Sequence, residues 1–205
     1  MQGKTRKRKA VNVTVDENED IVRMLLRCIE TCREGGRRYP RAAYDELVNY
    51  MGYMLGINPE PPVLSAESIE KLRGTLDWGK LAGMMGDHLG TVFVRLELCN
   101  NNLGQCLTPP HIADFMNKVT GVDNARPGQR ILDPALGTGV FLISAAKIAM
   151  PGVELWGVEI DPSLYRAALV QLTIYTAFGI INPFTLMIGD SLTNDIEWHK
   201  ANLWV

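Results

Sequence analysis

Ile131-Leu132-Asp133-Pro134-Ala135-Leu136-Gly137-Thr138-Gly139 constrains this chain more than any other stretch. Two apolar β-formers lead into an acidic residue, a proline stops the strand, and the Gly137-Thr138-Gly139 turn opens an apolar helical run over 140–150. The pattern predicts a strand, a tight loop and a helix N-terminus, which is where open α/β sheets bind small ligands. Glycines there admit a ligand close to the backbone, and the first helical N–H groups lack intrahelical partners.

Charge narrows the ligand. A dinucleotide loop needs a third glycine so that a pyrophosphate can sit on the helix N-terminus; here bulky Phe141 follows and no third glycine does. Asp133 at the strand tip repels a pyrophosphate and attracts an ammonium group. S-adenosylmethionine carries an ammonium and a sulfonium and no phosphate, so the chemistry favours it over NAD. The plain alternative is a glycine-rich turn that binds nothing.

Beyond Gly128 the chain alternates between strand and helix. Strands are expected over 130–133, 155–160, 185–188 and 201–205, and helices over 140–150 and 164–178. Buried parallel strands with helical crossovers give an α/β fold with a doubly wound, mostly parallel, Rossmann-like sheet. The second strand ends in Glu159-Ile160-Asp161-Pro162, placed to accept from ribose hydroxyls, as a carboxylate about twenty residues after the glycine loop does. The third ends in Asp190-Ser191, where a carboxylate can accept from an adenine amino group.

Upstream, the periodicity is helical. Ile21, Met24, Leu25, Cys28, Ile29 and Cys32 mark one helix from Asp20, ended by Gly35-Gly36, and Tyr44, Leu47, Met51 and Leu55 mark a second from about Arg41. Glycine-interrupted residues 65–98 read as two or three short helices. Thr108 is placed to cap a further helix whose first positions are prolines. The organisation expected is a basic and polar flexible arm over 1–19, a helical region over 20–103, and a partial sheet domain over 104–205.

Net charge is only -2, but residues 1–41 hold eleven Lys and Arg against six Asp and Glu. Lys4, Arg6, Lys7, Arg8 and Lys9 in the arm, with Arg37 and Arg38 in the connection between the first two helices, are the candidates for DNA phosphates. Solvated side chains explain the same residues equally well. No apolar run approaches the roughly 18 residues of a membrane span, and nothing resembles a signal peptide, so a cytoplasmic protein without membrane contact is expected. Cys28, Cys32, Cys99 and Cys106 have neither disulfide-scaffold nor metal spacing and read as buried free thiols. The three histidines are scattered and receive no role.

These motifs together resemble the N6-adenine DNA methyltransferases, in particular the modification subunits of type I restriction systems. The likeness rests on Asp133 to Gly139 with Phe141, on Glu159-Ile160-Asp161-Pro162, on Gly189-Asp190-Ser191, and on Gly104-Gln105-Cys106-Leu107-Thr108-Pro109-Pro110. It implies that Asp133, Pro134, Ala135, Gly137, Thr138 and Gly139 hold the methionine end of S-adenosylmethionine, covered by Thr108 and Pro109. Glu159 and Asp161 would then serve the ribose, Ile160 the adenine ring, and Asp190 with Ser191 the adenine amine. Leu136, Cys106 and Leu107 depart from the residues usual there.

The resemblance also implies an absence. An Asn or Asp, two prolines and an aromatic should follow the fourth strand, and the sequence ends at Val205. Asn182-Pro183-Phe184 lacks a proline and precedes the third strand, so no catalytic residue is assigned. The expectation is a cofactor-binding relative that does not methylate alone, acting as a regulator, a decoy or part of a split enzyme. A homodimer or partner chain would complete the sheet along the apolar edge at Leu203, Trp204 and Val205. The alternative is a DNA- or protein-binding module that keeps the fold without cofactor.

Overall fold

Helices come first, and each stops where the sequence permits it. The computed structural model describes residues 5–99, 105–193 and 195–197, with 5–17 and 195–197 as backbone alone. α1 (Thr5–Cys32) begins well before Asp20, because no glycine or proline interrupts the chain between Lys4 and Gly35. It ends where Glu34, Gly35 and Gly36 take φ values of 48°, 71° and 88°, a left-handed turn that favours glycine. α2 (Pro40–Met54) starts with proline at its first turn and stops before Gly56.

Residues 65–98 form three short helices, and each carries its own cap. Ser65 accepts from the Ser68 N–H before α3 (Ala66–Thr75), Asp77 from Lys80 before α4 (Trp78–Gly83), and Asp87 from Gly90 before α5 (His88–Arg95). α6 (Pro110–Val119) corrects the expected cap: Pro109 occupies the N-cap position and no side chain caps the helix. A residue before proline is pushed out of the α region, so Pro109 is extended (ψ 141°) and Thr108 stands one position too early.

The expected alternation then follows. β1 (Arg130–Asp133), β2 (Glu154–Glu159) and β3 (Phe184–Asp190) are parallel neighbours, joined through α7 (Val140–Ala146) and α8 (Pro162–Ala177). A short strand not expected from the sequence, β4 (Asp195–Glu197), folds back antiparallel on β3. The strand expected at 201–205 lies outside the described residues. α8 is buried on almost every side, with Ala167, Ala168, Leu172 and Ile174 enclosed between the sheet and the N-terminal helices. One apolar cluster runs from Leu25, Tyr44, Met51 and Phe93 in the helices to Leu136, Leu155 and Leu186 at the sheet. Tyr44 and Phe93 meet edge to face at 5.2 Å.

Cys28 and Cys32 lie in this core, and burial pushes both thiols up to about 12. Cys99 is half-buried and Cys106 is exposed, which corrects the reading of all four as buried. Thiolates rather than thiols are the nucleophiles. Iodoacetamide at neutral pH is therefore expected to modify Cys106 in the folded protein and to spare Cys28 and Cys32 until denaturant is added. Peptide mass spectrometry reads the result, and native-state alkylation of Cys28 would contradict this packing.

Candidate functional site

The three strands end in a staircase of carboxylates. Asp133 closes β1 opposite Gly157, Glu159 closes β2 two residues further on and opposite Ile188, and Asp190 closes β3 two residues beyond that. Residues paired across parallel strands, and those two apart along one strand, share a face, so the three acids project from the same side. Successive steps are about 6.6 Å along the strands and 4.8 Å across them. The expected juxtaposition at the carboxyl edge is present.

The loop after β1 crosses over the end of β2. The Leu136 N–H donates to the Val158 carbonyl (2.9 Å) and the Gly137 N–H to the Glu159 carboxylate (2.6 Å). Leu136 is buried against Gly157, where any Cβ would come within 2.8 Å of it. Its departure from the usual residue is thus a packing matter, and Gly157, overlooked in the sequence, makes room for it. Gly137 and Gly139 adopt φ values of 57° and 95°, which only glycine takes without strain.

Each acid is held differently. One Asp133 oxygen accepts from the Ala135 N–H (3.1 Å), and the other, Oδ2, is buried without a partner. Burial raises the Asp133 carboxyl above its ordinary range, and the nearby Glu159 charge adds to the shift. Glu159 is buried too and raised by that burial, while its oxygens accept from Asp161 and Gly137 N–H groups. A carboxylate oxygen has two acceptor sites, so both retain capacity for hydroxyls. Asp161 caps α8 through the Ser163 and Leu164 N–H groups. Burial alone would raise it, yet these bonds, Gln105 and Arg41 hold it below the usual carboxylate range. Asp190 accepts from the Leu192 N–H (2.9 Å) in the turn that contains Ser191.

Flanking segments close around these loops. Gln105 donates to Asp161 (3.1 Å), and a Cβ on Gly137 would lie 3.2 Å from Leu107, so residues 105–107 pass over both turns just before Thr108 and Pro109. Ile160 is 65% exposed between β2 and α8, an apolar side chain standing out at the loop mouth. Asp133 and Pro134 also line a cavity of about 710 Å³ beside β1, with Asn117, Leu132 and Phe141. Glu159 and Asp190 do not line it, so it covers only the Asp133 end of the staircase.

Other expected residues have different surroundings. Thr138 is only 1% exposed and its hydroxyl donates to Asp87 (2.7 Å), so its side chain points into the protein. Arg38 is paired with Glu34 (2.8 Å) and donates to the Cys32 and Val63 carbonyls, so part of its guanidinium is engaged within the chain. Arg37 is exposed, and Arg6 to Lys9 fall on the first turns of α1. Lys4 lies outside the described residues. Asn182 donates to the Met150 and Val153 carbonyls at the opposite end of the sheet, far from the staircase. Arg41, missed as a site residue, reaches from α2 to Asp161 (3.3 Å) and lies over Phe93.

An orphaned anionic acceptor beside a glycine turn fits a cation. The ammonium of S-adenosylmethionine would satisfy Asp133 Oδ2, and the remaining acceptor sites on Glu159 would suit two ribose hydroxyls. Among the described residues no group of acids, cysteines and histidines is arranged to hold a metal, and no helix is long and apolar enough to cross a membrane.

Residues 93–203, more than half of the chain, match the family model described as N-6 DNA methylase. The type II restriction enzyme and methyltransferase RM.BcgI of Heyndrickxia coagulans is 31% identical over 124 residues, covering 54% of this chain and 18% of that protein. A class I S-adenosylmethionine-dependent methyltransferase from Listeria monocytogenes has the same fold at TM-score 0.61 and 17% identity, over 93% of this chain and 56% of that one. The methyltransferase subunit of a type I restriction-modification system from Streptococcus thermophilus aligns at TM-score 0.44 and 16% identity, over 86% of this chain and 40% of that one. The chain thus spans about a fifth of the curated relative and about half of the solved ones.

Proposed function

The chain belongs to the N-6 DNA methylase family, and from that membership we propose that it is the S-adenosylmethionine-binding part of a DNA adenine-N6 methyltransferase. The observation that carries this reading is the buried Asp133 Oδ2, a negative acceptor with no donor of its own. Asp133 holds the ammonium, and the backbone at Pro134, Ala135, Gly137, Thr138 and Gly139 lies along the methionine. Glu159 accepts from the ribose hydroxyls, with Asp161 behind it as the fixed cap of α8. Ile160 packs on the adenine, and Asp190 and Ser191 receive its amine. Thr108 and Pro109 cover the methionine end. When bound, the cofactor supplies a methyl group on a sulfonium, a leaving group that needs no acid.

Turnover needs a further contribution. Transfer to an adenine amine requires acceptors for its protons and an aromatic surface for the flipped base, and the sequence contains no Asn-Pro-Pro-aromatic run. We propose that a further segment or a different partner chain supplies these groups, and that this partner or a second copy completes the sheet. DNA phosphates are met by Lys4, Arg6, Lys7, Arg8, Lys9 and Arg37, giving affinity that falls steeply with salt. The setting is the cytoplasm.

Calorimetric titration with S-adenosylmethionine, followed by transfer of a labelled methyl group to adenine-containing DNA, tests both parts. The expected result is binding without transfer by this chain alone. Transfer by the isolated chain would refute the division of labour. Absence of heat, with DNA binding retained, would favour the cofactor-free binding module.

A further inference from the structure

Asp87 is buried at the start of α5, 51 residues before Thr138, and one carboxylate serves both. Its Oδ1 accepts from the Gly90 N–H (2.9 Å) and from Gln171 Nε2 (2.9 Å), and its Oδ2 accepts from the Thr138 hydroxyl (2.7 Å). Gln171, on α8, also donates to the Thr138 carbonyl (2.8 Å) and accepts from the Leu89 N–H (2.8 Å). Asp87, Thr138 and Gln171 are each at most 6% exposed. Thr138 is therefore held at its hydroxyl and its carbonyl, from two helices, in a place water does not reach.

The position of Thr138 gives this network its consequence. It sits between Gly137 and Gly139, both with positive φ, and glycines are the residues with most backbone freedom to lose. A loop built from them alone would sample many shapes, and a ligand would have to select one. We infer that Asp87, in the helical region ahead of the sheet, is a positioning residue that presets the cofactor loop through Thr138. The inference rests on the reading of that loop as an S-adenosylmethionine site. It makes the N-terminal helices part of the binding apparatus without contact with the ligand.

Asp87→Ala would also uncap α5 and discriminates poorly, so the test uses Thr138→Val and Thr138→Ser in the full chain. Valine keeps the shape and removes the hydroxyl, whereas serine keeps the hydroxyl. Titrated with S-adenosylmethionine, Thr138→Val is expected to raise Kd about tenfold, equivalent to about 1.4 kcal/mol, with Thr138→Ser restoring it to about the wild-type value. Amide exchange in ligand-free protein is expected to quicken at 137–140 in the valine variant. Val48→Ala, a core truncation far along the chain, lowers the melting temperature and is expected to leave Kd unchanged. If Thr138→Val binds as tightly as wild type, or if Val48→Ala weakens binding as much, the positioning role is overturned. No binding by wild type would overturn the site and the inference together.

Discussion

Asp133→Asn is expected to abolish detectable S-adenosylmethionine binding while raising the melting temperature of the ligand-free protein. The asparagine carbonyl takes over the bond from the Ala135 N–H, so the loop keeps its anchor. Its amide then stands where Oδ2 was, presenting donors in place of the acceptor that an ammonium requires. Removing one partner of a buried charge pair costs about 3–5 kcal/mol, or more than about a hundredfold in Kd. Stability moves oppositely, because a buried, unpartnered carboxylate is a burden on the ligand-free fold. A variant that loses binding and stability together would point to misfolding, and one that binds normally would remove Asp133 from the site.

The same carboxyl sets the pH dependence. Its folded pKa lies above the ordinary 3.8 because of burial. In the ligand-free protein the folded state therefore holds a proton that the unfolded chain has released, and stability contributed by this group is lost as pH rises through the raised value. Ligand affinity runs the other way, since an ammonium pairs only with the ionised form. Glu159, also raised by burial, contributes with the same sign to the stability change. Kd of the wild-type protein measured across the acidic range is expected to fall as pH rises, and the melting temperature of ligand-free Asp133→Asn is expected to lack the Asp133 component of the pH dependence.

How legible this was from sequence divides along the distance between interacting residues. The strands expected at 130–133 and 185–188 and the crossover helices rest on local periodicity and turn chemistry, and they were readable. The run at 65–98 was legible only as two or three short helices, without the caps at Asp77 and Asp87, and the first crossover helix ends at Ala146 rather than at 150. The carboxylate staircase was readable too, because parallel strands place their C-terminal ends at one edge. What Thr138 does was not, since its partner lies 51 residues away and a Gly-Thr-Gly turn looks the same whether threonine faces a ligand or the core. Arg38 looked like an exposed turn arginine until Glu34 and two carbonyls enclosed it. The early start of α1 is not legible from apolar content, which is low there, but from an uninterrupted run of helix-compatible residues.

Gly90→Ala is the second large effect expected, and its sign contradicts helix propensity. Inside an exposed helix, glycine to alanine stabilises by about 1 kcal/mol; Gly74 in α3 has open space around its missing Cβ, and Gly74→Ala is expected to behave that way. Gly90 has none: a Cβ would overlap the Asp87 carboxylate and the Thr138 hydroxyl, both buried and both hydrogen-bonded. These are fixed groups and cannot swing aside, so the methyl must break the bond between them or shift α5 away from the loop. Overpacking of this kind costs about 1–3 kcal/mol, and leaving a buried carboxylate oxygen unpaired adds about 1–3 kcal/mol more. At about 2–4 °C per kcal/mol for a chain of this size, Gly90→Ala should lower the melting temperature by about 10 °C while Gly74→Ala raises it slightly. Equal shifts in the two variants would mean that α5 is not pressed against the loop, and the route from the N-terminal helices to the cofactor site would fall with it.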